Sequence, residues 1–131
     1  MSQLRDNGLV HLSSIHSVVD TVARLEAILQ TKGLPVLAQI DHSGDAAKAG
    51  LTMPPTKLII FGNARSGTPL MISAPTIAID LPLKALIWQD TSGKVWLSYN
   101  SPEYLKNRHG ISDDLLKNIS GISSICEEAV R

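Results

Sequence analysis

A single cysteine in 131 residues, Cys126, leaves nothing for an intramolecular disulfide to pair with, so packing alone has to hold the fold. It lies in a helical apolar stripe, where a buried and inert thiol is the ordinary state. Neither charge is in excess, with 12 Lys plus Arg against 12 Asp plus Glu. Without a basic surplus to neutralise phosphates, nucleic acid is disfavoured as a partner. No run approaches the ~18 apolar residues of a membrane span, and Met1 to Asn7 lacks an apolar signal core, which points to a cytoplasmic protein away from the membrane. Catalytic signatures are missing as well. There is no Gly-x-Ser-x-Gly elbow, no Gly-x-Gly-x-x-Gly opening a helix, no Gly-Lys-Ser/Thr of a Walker loop, and no histidine pair at ligand spacing. Covalent catalysis is disfavoured on that basis, and neither a resident metal nor a cofactor is expected.

What the chain does have is periodicity. Ile79 to Trp88 reads as a strand, Asp90-Thr91-Ser92-Gly93 as a turn, and Lys94 to Asn100 as the antiparallel partner. A short loop ending in glycine predicts a type I turn closed by a left-handed residue, with Lys94 opposite Asp90. Counting outward places Gln89 opposite Val95, Trp88 opposite Trp96 and Ile87 opposite Leu97. Both tryptophans then share one face. Leu83, Ala85, Ile87, Val95, Leu97 and Tyr99 share the other, which is apolar enough for helices to cover. Leu58-Ile59-Ile60-Phe61 lacks polar alternation and predicts a central strand buried on both faces.

Gly8 to Ser13 alternates as a short first strand, with His11 toward solvent. Ser17 and Asp20 resemble a capping box, and Val18, Val22, Leu25 and Leu29 follow at helical spacing until Gly33. Asp20 and Arg24, four apart on the polar side, make a pair worth a few tenths of a kcal/mol. Leu34 to Asp41 alternates again, Asp45 to Ala49 has room for about one helical turn, and Pro54-Pro55 forces extended chain. Gly62 to Gly67 reads as a loop, with Thr68-Pro69 as cap and first turn of a helix reaching about Ala74. Ser101-Pro102 opens a further helix that Gly110 ends. Leu115, Ile119, Ile122, Cys126 and Ala129 predict a last packed helix with a weak point at Gly121. The order predicts one α+β domain over residues 1–131, a two-layer sandwich with helices on one face of a mixed, mainly antiparallel five-stranded sheet. Its other face carries Trp88, Trp96 and Leu86 and predicts a homodimer joined there, unless the N-terminal segment or the last helix folds across it.

Several segments in one order carry a family likeness: Ile40-Asp41-His42; Phe61-Gly62-Asn63 with Gly67-Thr68-Pro69-Leu70-Met71; Asp80-Leu81-Pro82-Leu83-Lys84; Trp88; Trp96-Leu97-Ser98-Tyr99-Asn100; and Arg108-His109. Together they closely resemble the bacterial domain of unknown function 302 family, from Ser17 to Ile111. The resemblance implies a small α+β fold like that of the TATA-binding protein, a tendency to homodimerise, and no established activity. DNA binding does not follow from the fold, since function lies in sites. Ala64 stands where the family pattern has proline, which leaves that loop less rigid. Gln89 stands where an acid is usual, which removes a candidate general acid.

Two sites compete. Gly62, Asn63, Arg65, Gly67 and Thr68 place a glycine loop and a cation before a helix start, an arrangement that holds small anions through free amides. Their plainer reading is that the glycines only supply backbone conformations. Asp41, His42 and His109 could move protons or hold a metal if they met. Asp80 and Lys84, at the start of a strand, read as a structural ion pair or cap. The expected function is a dimeric binding or sensor module for a small anionic ligand; the alternative is a small enzyme using acid–base chemistry from Asp41, His42 and His109.

Overall fold

The structure, a computed structural model, describes residues 7–131. In chain order the elements are β1 (Leu9–Ser14), α1 (Val18–Thr31), β2 (Val36–Asp41), α2 (His42–Lys48), β3 (Thr56–Phe61), α3 (Ala64–Ser73), a 3-10 turn (Pro75–Ile79), β4 (Leu83–Gln89), β5 (Val95–Asn100), α4 (Pro102–His109), α5 (Asp113–Leu116) and α6 (Ile122–Val130). The strands form one sheet in the order β1-β5-β4-β3-β2. Every pair is antiparallel, so the expected mixed sheet is corrected to a wholly antiparallel one.

The hairpin register is the expected one, with Gln89 opposite Val95, Trp88 opposite Trp96 and Ile87 opposite Leu97. Gly93 takes φ +92°, and Asp90 N–H donates to the Lys94 carbonyl at 2.8 Å. A left-handed residue there lets the strands leave the turn in register with their own twist. β4 itself starts at Leu83 rather than Ile79. Ile79 ends the 3-10 turn, and a cis Leu81-Pro82 bond leads into the strand.

On one face Ile59, Phe61, Ala85, Ile87, Val95, Leu97 and Tyr99 are buried under Val18, Val22, Leu25 and Leu29 of α1 and Ile122, Ile125, Cys126 and Ala129 of α6. Ser17 caps α1, its hydroxyl accepting from Asp20 N–H. Arg24 makes no pair with Asp20; it donates to the carbonyls of Ala129 and Glu128 and ties α1 to α6. A second cluster, Leu70, Ile77, Leu105, Ile111 and Ile119, gathers α3, the 3-10 turn, α4 and the α5 region, and Leu83 touches both clusters. The predicted last helix is broken between α5 and α6, at the weak point around Gly121.

The second face stands open and consists of three rows. Leu9, Asn100, Lys84, Ile60 and Ala38 form one; His11, Ser98, Leu86, Leu58 and Ile40 the next; Ser13, Trp96, Trp88 and Thr56 the third. Leu58 and Ile60 are therefore half-buried while Ile59 and Phe61 are fully buried, so the strand is not covered on both faces as expected. It lies beside the middle strand, β4, rather than at the centre. The last helix packs on the opposite face, which removes it as a cover. Residues 1–6, part of the other candidate cover, lie outside the described residues.

Candidate functional site

The expected anion loop is helix. Asn63 caps α3, its side-chain oxygen accepting from Ser66 N–H at 2.8 Å and its backbone carbonyl from Gly67 N–H at 3.1 Å. The helix therefore begins at Ala64, four residues before Thr68, and carries Pro69 inside it. Two of the amides that an anion would need are already satisfied. Arg65 and Thr68 are exposed, and neither faces the cavity that their neighbours line.

That cavity, of about 500 Å³, lies where Leu34, Pro35 and Leu37 before and at the start of β2, the first turns of α3, the Leu81–Leu83 segment and the α5–α6 break converge. Gly62, Asn63 and Gly67 line it, so three of the five expected ligand residues are at the wall of a cavity, though one of different chemistry. Gly62 has φ +149°, a conformation that side-chain-bearing residues rarely adopt. Its lining is almost entirely aliphatic. The polar side chains in it are Asn63, Ser66 and Asn118, and no charged residue lines it. The Asn118 amide donates to the Ser66 carbonyl at 3.1 Å, which pins the helix break to the first turn of α3 across the cavity mouth. An ion entering such a space would lose its hydration without finding a countercharge.

Asp41, His42 and His109 do not meet. Asp41 is opposite Lys57, and Lys57 opposite Ile87, toward the hairpin end of the sheet; His109 is bound to Asp80, beyond the other end of β4. Four strand residues separate those rows, about 13 Å before any side chain is counted. Asp41 instead caps α2, and hydrogen bonds from the Ser43 hydroxyl and the Gly44 amide hold its carboxyl below the ordinary range. α2 thus starts at His42, before the Asp45 expected. Among the described residues no cluster of three or more potential metal ligands occurs.

Asp80 and Lys84 are also rearranged from the expected ion pair. The Lys84 ammonium donates to the backbone carbonyls of Asp80 at 2.9 Å and Pro82 at 2.8 Å, and burial pushes its pKa down. The Asp80 carboxylate goes elsewhere, accepting from Arg108 Nη1 at 3.1 Å and from His109 Nε2. The other ring nitrogen of His109 meets Thr76 Oγ1 at 3.0 Å. With Nε2 protonated toward Asp80, Nδ1 accepts from the threonine hydroxyl. This Thr-His-Asp chain has its imidazole buried, only 4% exposed. Thr76 lines neither the interior cavity nor the cleft on the open face, so the chain acts here as a clamp joining α4 to the 3-10 turn. Each of the two segments was visible in the sequence; their contact across 29 positions was not.

On the open face a cleft of about 300 Å³ lies over the first two rows, bounded by Trp88. Ser98, 4% exposed, accepts from Trp88 Nε1 at 2.9 Å and meets His11 Nδ1 at 2.7 Å. His11 is exposed, as expected, but oriented by that hydroxyl. The Trp88 and Trp96 rings are stacked at 6.4 Å, and the Lys94 ammonium sits 4.6 Å from the Trp96 centroid.

A family model described as "Domain of unknown function DUF302" matches residues 10–129. The chain is 48% identical over 117 residues to a protein of Brucella suis biovar 1 (strain 1330) named fluoride-specific ion channel FluC 1, covering 88% of this chain and 46% of that protein. A Brucella abortus biovar 1 (strain 9-941) protein of the same name matches at 48%, with 43% of it covered. The chain thus spans less than half the length of these curated relatives. Among solved structures, the crystal structure of an uncharacterized conserved protein DUF302 from Bacillus stearothermophilus superposes with TM-score 0.77 at 18% identity, over 95% of this chain and 96% of that one, and shows the same fold. No helix among the described residues is long and apolar enough to cross a membrane.

Proposed function

The chain belongs to the family of the domain of unknown function DUF302, and from that premise we propose that it is a ligand-binding module whose interior cavity takes a small, largely apolar and uncharged molecule. The carrying observation is the chemistry of the cavity wall, aliphatic throughout except for Asn63, Ser66 and Asn118. A preformed space of this size with a few polar groups on one side is the ordinary form of a small-molecule site. This replaces the anionic ligand expected from the sequence, because the cation of that site, Arg65, stands outside the cavity.

The test compares 1-octanol with octanoate. Saturable amide shifts in NMR at Ser66, Asn118 and Ile122 with the alcohol, and none with the carboxylate, support the reading. Gly67→Phe, which places a ring in the space, should abolish them. Shifts that persist in a folded Gly67→Phe variant, or no shifts with octanol in the wild type, would overturn it.

Assembly and setting form part of the same reading. A two-fold homodimer meeting along the Ser13, Trp96, Trp88 and Thr56 row is supported by two half-buried indoles standing uncovered in the monomer. Sedimentation at micromolar concentration should give a dimer that Trp96→Glu dissociates; a wild-type monomer would refute it. The buried, unpaired Cys126, its thiol pushed up to about 12 by burial, suits a reducing cytoplasm. The likeness to channel-named proteins supports a sensor role beside a membrane channel, the flux residing in the part of those relatives that this chain does not match. Deleting the matched part from the Brucella suis protein should leave fluoride flux into liposomes intact and remove any response to ligand; loss of flux itself would count against this placement.

A further inference from the structure

The cleft on the open face is as apolar in surface as the interior cavity but differs from it in having a lysine and a histidine in its wall. Its wall joins Leu58, Leu86 and the Trp88 ring to the polar side chains of Lys84, His11, Ser98 and Asn100, and no acidic side chain lines it. The Lys84 ammonium spends two of its three N–H groups on the Asp80 and Pro82 carbonyls, which fixes its position and leaves the third. His11 is held by the Ser98 hydroxyl. Since that hydroxyl already accepts from the indole, its own proton is available to Nδ1, and the ring then presents Nε2–H outward. The side-chain amide of Asn100 makes no hydrogen bond to another described residue. Donors without an acid among them, set beside an aromatic and aliphatic wall, are complementary to an anion on an apolar body.

We propose that this cleft is a second ligand site, for a small aromatic or branched aliphatic carboxylate whose charged end meets Lys84 and Asn100 while its body lies against Trp88, Leu58 and Leu86. The proposal does not rest on the interior cavity, and the two sites select opposite charge states. It also restores the anion expected from the sequence, at another place. Trp88 belongs both to the cleft wall and to the row proposed for the dimer contact, so the cleft would lie at the edge of that contact.

Benzoate and benzamide are the probes, the same ring with and without the charge. NMR titration of the full chain should show saturable benzoate shifts at Lys84, Leu86, Ser98 and Asn100 and quenching of Trp88, with benzamide at least about tenfold weaker, the loss of one charge-assisted contact. Lys84→Met should bring benzoate down to the benzamide level. Because that lysine also braces the Asp80–Pro82 segment, Leu58→Trp serves as a variant that fills the cleft without touching a charge, and it should block both probes. Equal affinity for the two probes overturns the proposal. So does benzoate binding that survives in folded Leu58→Trp, or shifts that map instead to Ser66 and Asn118.

Discussion

Gly67 separates the helix from the loop by the sign of one substitution. In a glycine loop, Gly67 would be there for a conformation closed to alanine, and replacing it would cost stability. In α3 it is the fourth helical residue, and a Cβ added to it would lie 3.8 Å from Leu81 Cδ1 and 3.8 Å from Met71 Cε, ordinary contact distances. Gly→Ala in a helix interior gains about 0.5–1 kcal/mol, most of it from the lost freedom of the unfolded chain. Two new methyl contacts add a few tenths. The sum is about 1 kcal/mol, or about 3–5 °C in Tm for a chain of this length. Gly62→Ala makes the internal control. Its φ of +149° is unsuited to alanine, although the nearest atom to the new Cβ, Pro82 Cβ, is 3.7 Å away, so the cost of about 1–3 kcal/mol is conformational and not steric. Urea titration at constant m-value would measure both. A Gly67→Ala protein less stable than wild type would refute the helix assignment and the cavity wall built on it.

Three further outcomes follow from burial and charge. Ile59→Ala, at a fully buried position, should cost about 2–5 kcal/mol, whereas Ile60→Ala on the open face should cost less than half as much in urea titration. Equal losses would mean that the open face is covered in solution, as in a dimer that extends beyond the tryptophan row. Hydrogen bonds from Trp96 and Ser92 hold the Asp90 carboxyl at about 2, below its unfolded value of 3.8. A depressed pKa contributes stability that is full above the unfolded value and is lost as pH falls through the folded one. Asp90→Asn should therefore lower the urea midpoint at pH 7 and converge with wild type near pH 2, and a constant gap between the two would show that the carboxylate charge plays no part. Asp80→Ala should loosen α4 without affecting the hairpin, seen as faster amide exchange in Leu105 and Lys106 with unchanged protection at Leu97; uniform acceleration would deny the clamp its local character.

The sequence was most legible where short-range geometry decides. A four-residue turn with glycine last fixes hairpin register, and that register fixes which side chains share a face, so Trp88, Trp96 and the buried row opposite them could be read directly. The stripe of α1, the Gly110 end of α4 and the break near Gly121 are local in the same sense. Around α3 two start signals overlap. Thr68-Pro69 is a good cap and first turn, but Asn63 is also a good cap, and the structure takes the earlier one at the cost of the hydrogen bond Pro69 cannot make. The site was less legible. Gly62, Asn63 and Gly67 were singled out for an anion and line the cavity instead, while the apolar wall opposite them comes from Leu34, Leu81 and Ile122, which no local pattern joins. Asp80 and His109 each stood out, and only tertiary structure shows that they bind one another rather than Lys84 and His42.

The interior cavity lies on the seam between the two apolar clusters. Ile122 and Ile125 of its wall belong to the sheet core, Ile119 to the second cluster, and Leu83 touches both. Contacts across the cavity are made by few side chains, so whatever fills it adds to the packing between the two clusters. The cavity already opens to solvent beside the exposed Leu37, so an occupant can enter without the clusters parting. An occupant would glue the clusters together, so its binding would be read as slower hydrogen exchange in α3 and α5, with the sheet's protection left as it was.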